Sequence, residues 1–389
     1  MAGSKSVVII GSGLSGYSLA REFRKLAPDT PVTVITADGG EVYSKPMLSN
    51  AFAQGKTPAG LVQKPGSQMA AELRLTLMAR TRVTAIDRAA KHVAVTDADG
   101  IAAHVPYDRL VLAWGADPRP FAAPGSDGAA VHSVNDLDDY GRWRQSLGDA
   151  GRILIIGAGL VGSEFANDLS GAGHRVTLVD PGPWPLGRLA PEQVGKALGA
   201  AMADVGMTLH MGRSIARLET GRAWLDDGTE IVFDHALSAI GLVPRTKLAA
   251  DAGLAVDRGI VVDRLLQTSD PDIYAMGDCS QTPAGPLPFV APLMAEAKAL
   301  AATLAGTPTP LVLPALPVVV KTPCLPTAVC PPAPGASGTW VVEGTGRDLK
   351  ALFVDAQGKA LGFALTGGFA QERQSLGKTM PELLSPGGV

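Results

Sequence analysis

Two glycine-rich turns set 146 residues apart, Gly11-Ser12-Gly13-Leu14-Ser15-Gly16 and Gly157-Ala158-Gly159-Leu160-Val161-Gly162, are the clearest places for chemistry in this sequence. Glycines at this spacing let backbone N–H groups approach a pyrophosphate at the start of a helix, whose dipole favours the negative charge. A bare G-x-G-x-x-G says little. Here each turn follows an apolar run, Val7-Val8-Ile9-Ile10 or Ile153-Leu154-Ile155-Ile156, and precedes a stretch with helical apolar spacing. Two such units imply two dinucleotides held at once, and the usual reason is to pass electrons between them.

The acidic residue beyond each turn selects the sugar. Asp180 lies 18 residues past Gly162, at the end of the run Arg175-Val176-Thr177-Leu178-Val179. A carboxylate there can take both hydroxyls of an adenosine ribose, and its charge repels a 2′-phosphate. Pro181-Gly182-Pro183 bring no adjacent arginine, so NADH is expected over NADPH. A strand-ending Asp can also act merely as a cap. The first unit departs from this pattern: its second run ends Thr36-Ala37-Asp38, leaving Thr36, the Ala37 backbone or Asp38 for the adenosine end.

These turns need parallel strands to position them. The stretches Arg109 to Pro118 and Ala236 to Pro244 both read as a buried strand, a glycine turn and a proline exit. That echo predicts one dinucleotide domain inserted into another. The expected fold class is α/β, with two Rossmann-like domains and a small α+β C-terminal domain. Boundaries are expected at 1–115 with 241–310 for the outer domain, 116–240 for the inserted one, and 311–389 for the last. Proline is dense from Gly306 to Gly335, which argues against a helix or a central strand there. Strand-like runs follow at Trp340-Val341-Val342, Leu349 to Val354 and Ala360 to Leu365.

Composition narrows the class. At 389 residues and 46% hydrophobic, the chain holds enough apolar sequence for two or three cores. A net charge of −3 does not suit a nucleic-acid binder, and no apolar run is long enough to span a membrane. The short leader from Met1 to Ser6 leaves no room for a signal peptide, so a cytoplasmic location is expected. The three cysteines, Cys279, Cys324 and Cys330, form no C-x-x-C, so neither an internal redox disulfide nor a metal site is expected.

Further motifs place the chain in a family. Val8-Ile9-Ile10-Gly11-Ser12-Gly13, Gly162-Ser163-Glu164-Phe165-Ala166-Asn167-Asp168-Leu169 and Ile273-Tyr274-Ala275-Met276-Gly277-Asp278 resemble the two-dinucleotide flavoprotein reductases. Tyr43-Ser44-Lys45-Pro46-Met47-Leu48-Ser49 and Val318-Val319-Val320-Lys321-Thr322-Pro323 narrow the resemblance to FAD- and NADH-dependent rubredoxin reductases, and it spans essentially the whole chain. Trp114-Gly115 departs from the Thr-Gly usual in the wider group.

The resemblance implies FAD on the outer domain and NAD on the inserted one. It carries the cofactor contacts onto Gly11, Ser12, Gly13, Leu14, Ser15, Gly16, Thr36, Ala37, Val83, Gly277, Asp278, Val290 and Lys321 for the flavin. For the nicotinamide nucleotide it carries them onto Gly157, Gly159, Leu160, Gly162 and Asp180. Lys45 and Glu164 fall near the reactive ring in the same way. There a cation stabilises the anion formed on hydride uptake, and an opposing carboxylate neutralises and positions that cation.

An absence sets the direction of electron flow. Disulfide reductases carry a cysteine pair after the first unit's loop, where this chain reads Ser44-Lys45-Pro46-Met47-Leu48-Ser49. Electrons are therefore expected to leave singly to a separate acidic rubredoxin. Residues 1–110 carry 13 Lys/Arg against 9 Asp/Glu, which would steer such a partner. Two alternatives are a ferredoxin of an oxygenase system as acceptor, or a slow redox sensor that binds FAD and NADH.

Overall fold

The computed structural model describes residues 5–126, 131–148 and 150–385. Val7–Ile10 is buried on both faces, as an apolar run at the centre of a parallel sheet must be. It pairs in parallel with Val32–Ile35 on one side and Arg109–Leu112 on the other. Thr76–Met78 and Ile273–Ala275 complete a five-stranded parallel sheet. The last strand joins only after 160 intervening residues, so the outer unit does resume late in the chain.

The intervening chain builds its own parallel sheet around Arg152–Ile156, in the order Thr208–Met211, Arg175–Asp180, Arg152–Ile156, His235–Ser238 and Val131–His132. The way out and the way back lie side by side as an antiparallel pair, Ala116–Pro118 against Leu242–Pro244. Each unit also carries a three-stranded antiparallel meander, at 82–106 and 215–232, which the sequence patterns did not reveal.

The helix Leu14–Leu26 starts directly on the first turn and buries Tyr17, Leu19, Ala20 and Phe23 against the sheet. Leu19 and Phe23 each contribute about 1.5–3 kcal/mol by burial. Arg24 and Lys25 in the last turn suit the helix dipole, and Pro28 follows the C-cap Ala27. A second core runs between domains: Leu48, Ala51 and Phe52 pack with Ile153, Ile155 and Phe165, and with Val320, Val329 and Ala364 of the C-terminal sheet.

That C-terminal sheet is antiparallel, in the order Val318–Val320, Thr327–Cys330, Ala360–Thr366, Asp348–Val354, Thr339–Thr345. One expectation fails here. Thr327–Cys330 lies inside the proline-dense segment yet pairs on both sides. Its four residues contain no proline; Pro326 and Pro331 bracket the strand and leave every ladder N–H intact. Leu311, Leu313 and Leu384 return to the core of the first unit.

Candidate active site between the units

A cavity of about 1480 Å³ opens between the two parallel sheets and reaches the C-terminal domain. Gly11, Ser12, Gly13, Leu14, Ser15, Thr36, Ala37, Lys45, Val83, Leu160, Glu164, Asp278, Val290 and Lys321 all line it. Six of the expected residues do not: Gly16, Gly157, Gly159, Gly162, Asp180 and Gly277. Four of these have an evident packing or bonding reason. A Cβ on Gly16 would sit 1.9 Å from the Gly11 carbonyl oxygen, and one on Gly162 would sit 1.8 Å from that of Gly157. These two glycines let each helix close onto its turn. Gly277 backs onto Ser15, whose Oγ would be 2.2 Å from an added Cβ. Asp180 is turned toward its own glycine loop: Oδ2 accepts from Ala158 N and Oδ1 from Gly182 N, each at 2.6 Å.

The first unit reaches the same end through hydroxyls. Asp38 Oδ1 accepts from Thr36 Oγ1 at 2.6 Å, Ser12 Oγ at 3.0 Å and Gly40 N at 2.9 Å, while Ser12 also donates to Thr36. The Ser12 and Thr36 side chains are thereby fixed in the turn wall.

Charge pairing in the cavity differs from the expected arrangement. Lys45 opens the 3-10 turn Lys45–Asn50 and lies 3.8 Å from Asp278, not opposite Glu164. Glu164 instead pairs with Lys321: Oε2 accepts from Lys321 Nζ and from Ser49 Oγ at 2.6 Å, and Oε1 accepts from Lys321 N at 3.1 Å. The reason is local. The turn presents Lys45 to the Gly277–Cys279 bend at its start and Ser49 to the second-unit helix near its end. Burial pushes the Lys45 ammonium down, Asp278 pulls it back up, and Arg245 pushes it down again.

Several residues at the site went unassigned in the sequence. Asp168 accepts from Ala51 N, Phe52 N and Ala53 N, each at 2.9 Å, just past the Lys45 turn. Burial pushes its carboxyl up against the pull of these three donors. Asn167 Oδ1 accepts from Cys324 N at 3.3 Å. The helix Leu160–Gly171 thus holds the Lys45 turn through Asp168 and the C-terminal domain through Asn167 and Glu164. The available signal was a pair of carboxylates at i and i+4 in a helix buried from Gly162 to Leu169. Glu296 Oε2 accepts from Gly277 N at 2.7 Å beneath the bend, and burial pushes its carboxyl up to about 7. Trp114 and Arg245 exchange bonds: Trp114 Nε1 donates to Arg245 O at 2.8 Å, and Arg245 Nη1 donates to Trp114 O at 2.7 Å.

The residues present fit two dinucleotides. Gly11 and Gly157 have φ of +112° and +105°, and nothing lies within 4 Å of a Cβ added to Gly13 or Gly159, so each turn leaves an open backbone cradle. Both following helices lack an acidic residue in the first turn and a side-chain N-cap, which leaves their N-terminal N–H groups available to phosphate. The cavity exceeds the roughly 300–1,000 Å³ usual for drug-sized ligands. Among the described residues no group of three or more His, Cys, Asp or Glu could hold a metal, and no helix is long and apolar enough to cross a membrane.

One glycine turn and the helix that follows the other face a common cavity, an arrangement suited to bringing two dinucleotides together. The chain belongs to the pyridine nucleotide-disulphide oxidoreductase family, whose model matches residues 5–297; a rubredoxin binding C-terminal domain matches residues 310–380. It is 43% identical to a rubredoxin-NAD(+) reductase of Alcanivorax borkumensis over 97% of this chain and 99% of that protein. It is 39% identical to a rubredoxin-NAD(+) reductase of Acinetobacter baylyi, over 97% and 98% respectively. Among solved structures, the covalent putidaredoxin reductase–putidaredoxin complex superposes with a TM-score of 0.85 at 27% identity, covering 97% of this chain and 94% of that one.

Proposed function

We propose that this chain is an NADH-dependent rubredoxin reductase that binds FAD against the first turn and NADH against the second. The observation that carries this reading is a single cavity lined by the first glycine turn, the second-unit helix bearing Glu164, and Lys321 of the domain matched as rubredoxin-binding. FAD, when bound, supplies the means of accepting hydride and releasing electrons singly. The chain supplies position and charge.

In this reading Lys45, balanced by Asp278, places a cation beside the reactive ring, and Glu164 with Lys321 holds the face where the nicotinamide enters. Asp180 reads the adenosine ribose. The contacts set out in the sequence analysis keep their roles, with the lining residues in direct contact and Gly16, Gly162 and Gly277 shaping the turns. Domains are assigned as 1–115 with 241–310, 116–240, and 311–389, and the location as cytoplasmic.

Thiol chemistry does not compete. Cys279 is fully buried and pushed up to about 12, Cys330 is pushed up to about 11, and burial also raises Cys324. A thiol that stays protonated does not attack or exchange. Protonated thiols leave an external carrier as the outlet that this reading favours. The likeness to the putidaredoxin reductase complex favours a second reading, with a ferredoxin as acceptor.

The test is a visible spectrum of the purified protein, then NADH titration with rubredoxin or a [2Fe–2S] ferredoxin. A yellow protein bleached by NADH and recoloured faster by rubredoxin is expected. A colourless chain that cannot be reconstituted with FAD overturns the proposal, and faster ferredoxin turnover selects the second reading.

A further inference from the structure

The helix Leu160–Gly171 belongs to the inserted unit and the segment from Ser49 to Ala53 to the first, and four side-chain hydrogen bonds join them. Glu164 and Asp168, four residues apart, share one face of that helix. Glu164 Oε2 accepts from Ser49 Oγ at 2.6 Å, inside the turn Lys45–Asn50. Asp168 takes the three residues that follow the turn: Oδ2 accepts from Ala51 N and Phe52 N, and Oδ1 from Ala53 N, each at 2.9 Å. The inserted unit grips the same segment a second time. The Phe52 ring meets Tyr140 edge-on at 5.1 Å, and Tyr140 Oη donates to Lys56 O at 2.8 Å.

Asp168 is 3% exposed, and no cation pairs with it among the described residues; Lys321, which acts on it from further away, is bonded to Glu164. A buried carboxylate without a counter-cation is costly, and a neutral side chain could tie a loop to a helix. What the carboxylate adds is geometry. Three consecutive N–H groups on two oxygens fix the segment against the helix, whereas an amide or a hydroxyl offers a single accepting oxygen and cannot take all three. The segment continues from the turn that opens with Lys45, and Lys45 and Glu164 both line the cavity. Lys45 has its ion-pair partner, Asp278, in the first unit, so its register against the inserted unit comes from the 49–53 segment.

We propose that Asp168 is a positioning residue for flavin reduction: it sets where the Lys45 cation stands relative to the helix beside which the nicotinamide nucleotide docks. This rests on the reading of Lys45 and of the two nucleotide sites given above. The Asp168 side chain bonds to neither glycine turn, so nucleotide binding does not depend on it.

The test compares flavin-loaded wild type, D168N, K45M and the variant carrying both substitutions by rapid-mixing reduction with NADH. D168N keeps the shape of the side chain and gives up one accepting oxygen. Expected is a limiting reduction rate slowed about tenfold, with flavin content unchanged and the half-saturating NADH concentration within about twofold of wild type. In the K45M background the same substitution should add less than about twofold, because it acts through Lys45. Should D168N fail to fold, D168S keeps one acceptor and is measured in the same way. A merely structural Asp168 would lower the melting temperature and leave the limiting rate unmoved, which overturns the proposal. Equal slowing with and without Lys45 overturns it too. A K45M rate equal to wild type overturns the reading of Lys45 beneath the proposal, and the proposal with it; that outcome is distinct from a slow K45M beside a wild-type D168N.

Discussion

The two glycine turns share a backbone and differ in how an acid secures them. In the second unit, Asp180 reaches directly to Ala158 N and Gly182 N, so one carboxylate ties the strand end to the turn. In the first, Asp38 works through the hydroxyls of Ser12 and Thr36, and both hydroxyl-bearing residues line the cavity. The first turn is therefore a wall of the main cavity built from side-chain hydroxyls. The second lies outside that cavity and sends only its helix, through Leu160, Val161, Glu164 and Phe165, into it. Under the proposed function, the first turn would serve the flavin and the second the nicotinamide nucleotide.

Removing the glycines that close each helix onto its turn should separate those roles most strongly. G16A and G162A both drive a methyl into a backbone carbonyl, under 2 Å away. G16A is expected to abolish flavin retention, read as loss of visible absorbance. G162A is expected to keep the colour while losing reduction by NADH. Identical phenotypes would erase the contrast. K45M and E164Q come next: each removes a charge from the cavity, and rapid-mixing reduction by NADH should slow by about 10- to 100-fold with FAD still bound. Wild-type rates in both would remove their assigned roles.

A smaller effect should distinguish the two acids. D180N removes the charge and replaces one of the two accepting oxygens with an amide NH2 that cannot accept, so either Ala158 N or Gly182 N loses its partner, worth about 1–3 kcal/mol. It should raise the NADH KM about tenfold and weaken discrimination against NADPH. D38N should instead lower flavin retention and leave the NADH KM unchanged.

Acidity should act on the two units with opposite sign. Burial holds His132 and His174 below the ordinary histidine range, with His235 adding to the effect in both. Their contribution to stability is present above the unfolded histidine pKa and is lost as pH falls through the folded values. Glu296, raised to about 7, contributes stability that is present at lower pH and lost as pH rises from the ordinary carboxylate range through neutrality. Hydrogen exchange from pH 5 to 8 should show the second sheet loosening toward acid and the Gly277 region loosening toward base, with E296Q flattening the latter. The smallest effect concerns the carrier: rubredoxin reduction should slow as salt screens the basic excess in residues 1–110, while reduction by NADH should not.

Much of the fold was legible because its signals are local. A parallel strand buried on both faces must be apolar throughout, and a tight turn beneath a phosphate needs glycine, so both units and their late rejoining could be read from Val7–Ile10, Ile153 to Ile156 and the paired glycine-proline exits. The strand Thr327–Cys330 was missed because proline density was averaged over a segment whose interior four residues are proline-free. The Lys45–Asp278 and Glu164–Lys321 pairings were not legible either. They join positions 233 and 157 apart in the chain, and nothing in the local residue pattern states which cation an acid will meet. Asp168 and Glu296 were passed over for the same cause: each acts through a backbone group of a distant segment, and backbone groups carry no sequence label.

By itself, then, the order of residues specified two glycine-turn cradles, an acid at Asp180 closing the second strand of the inserted unit, and a first-unit loop without thiols, since each depends on steric or chemical requirements met within a few consecutive positions. Only the packed chain decided that the helix Leu160–Gly171 would hold the Lys45 turn and the C-terminal domain together, and that Lys45 would meet Asp278 while Lys321 met Glu164. Those outcomes depend on which distant surfaces exclude water against each other, and that is a property of the whole fold.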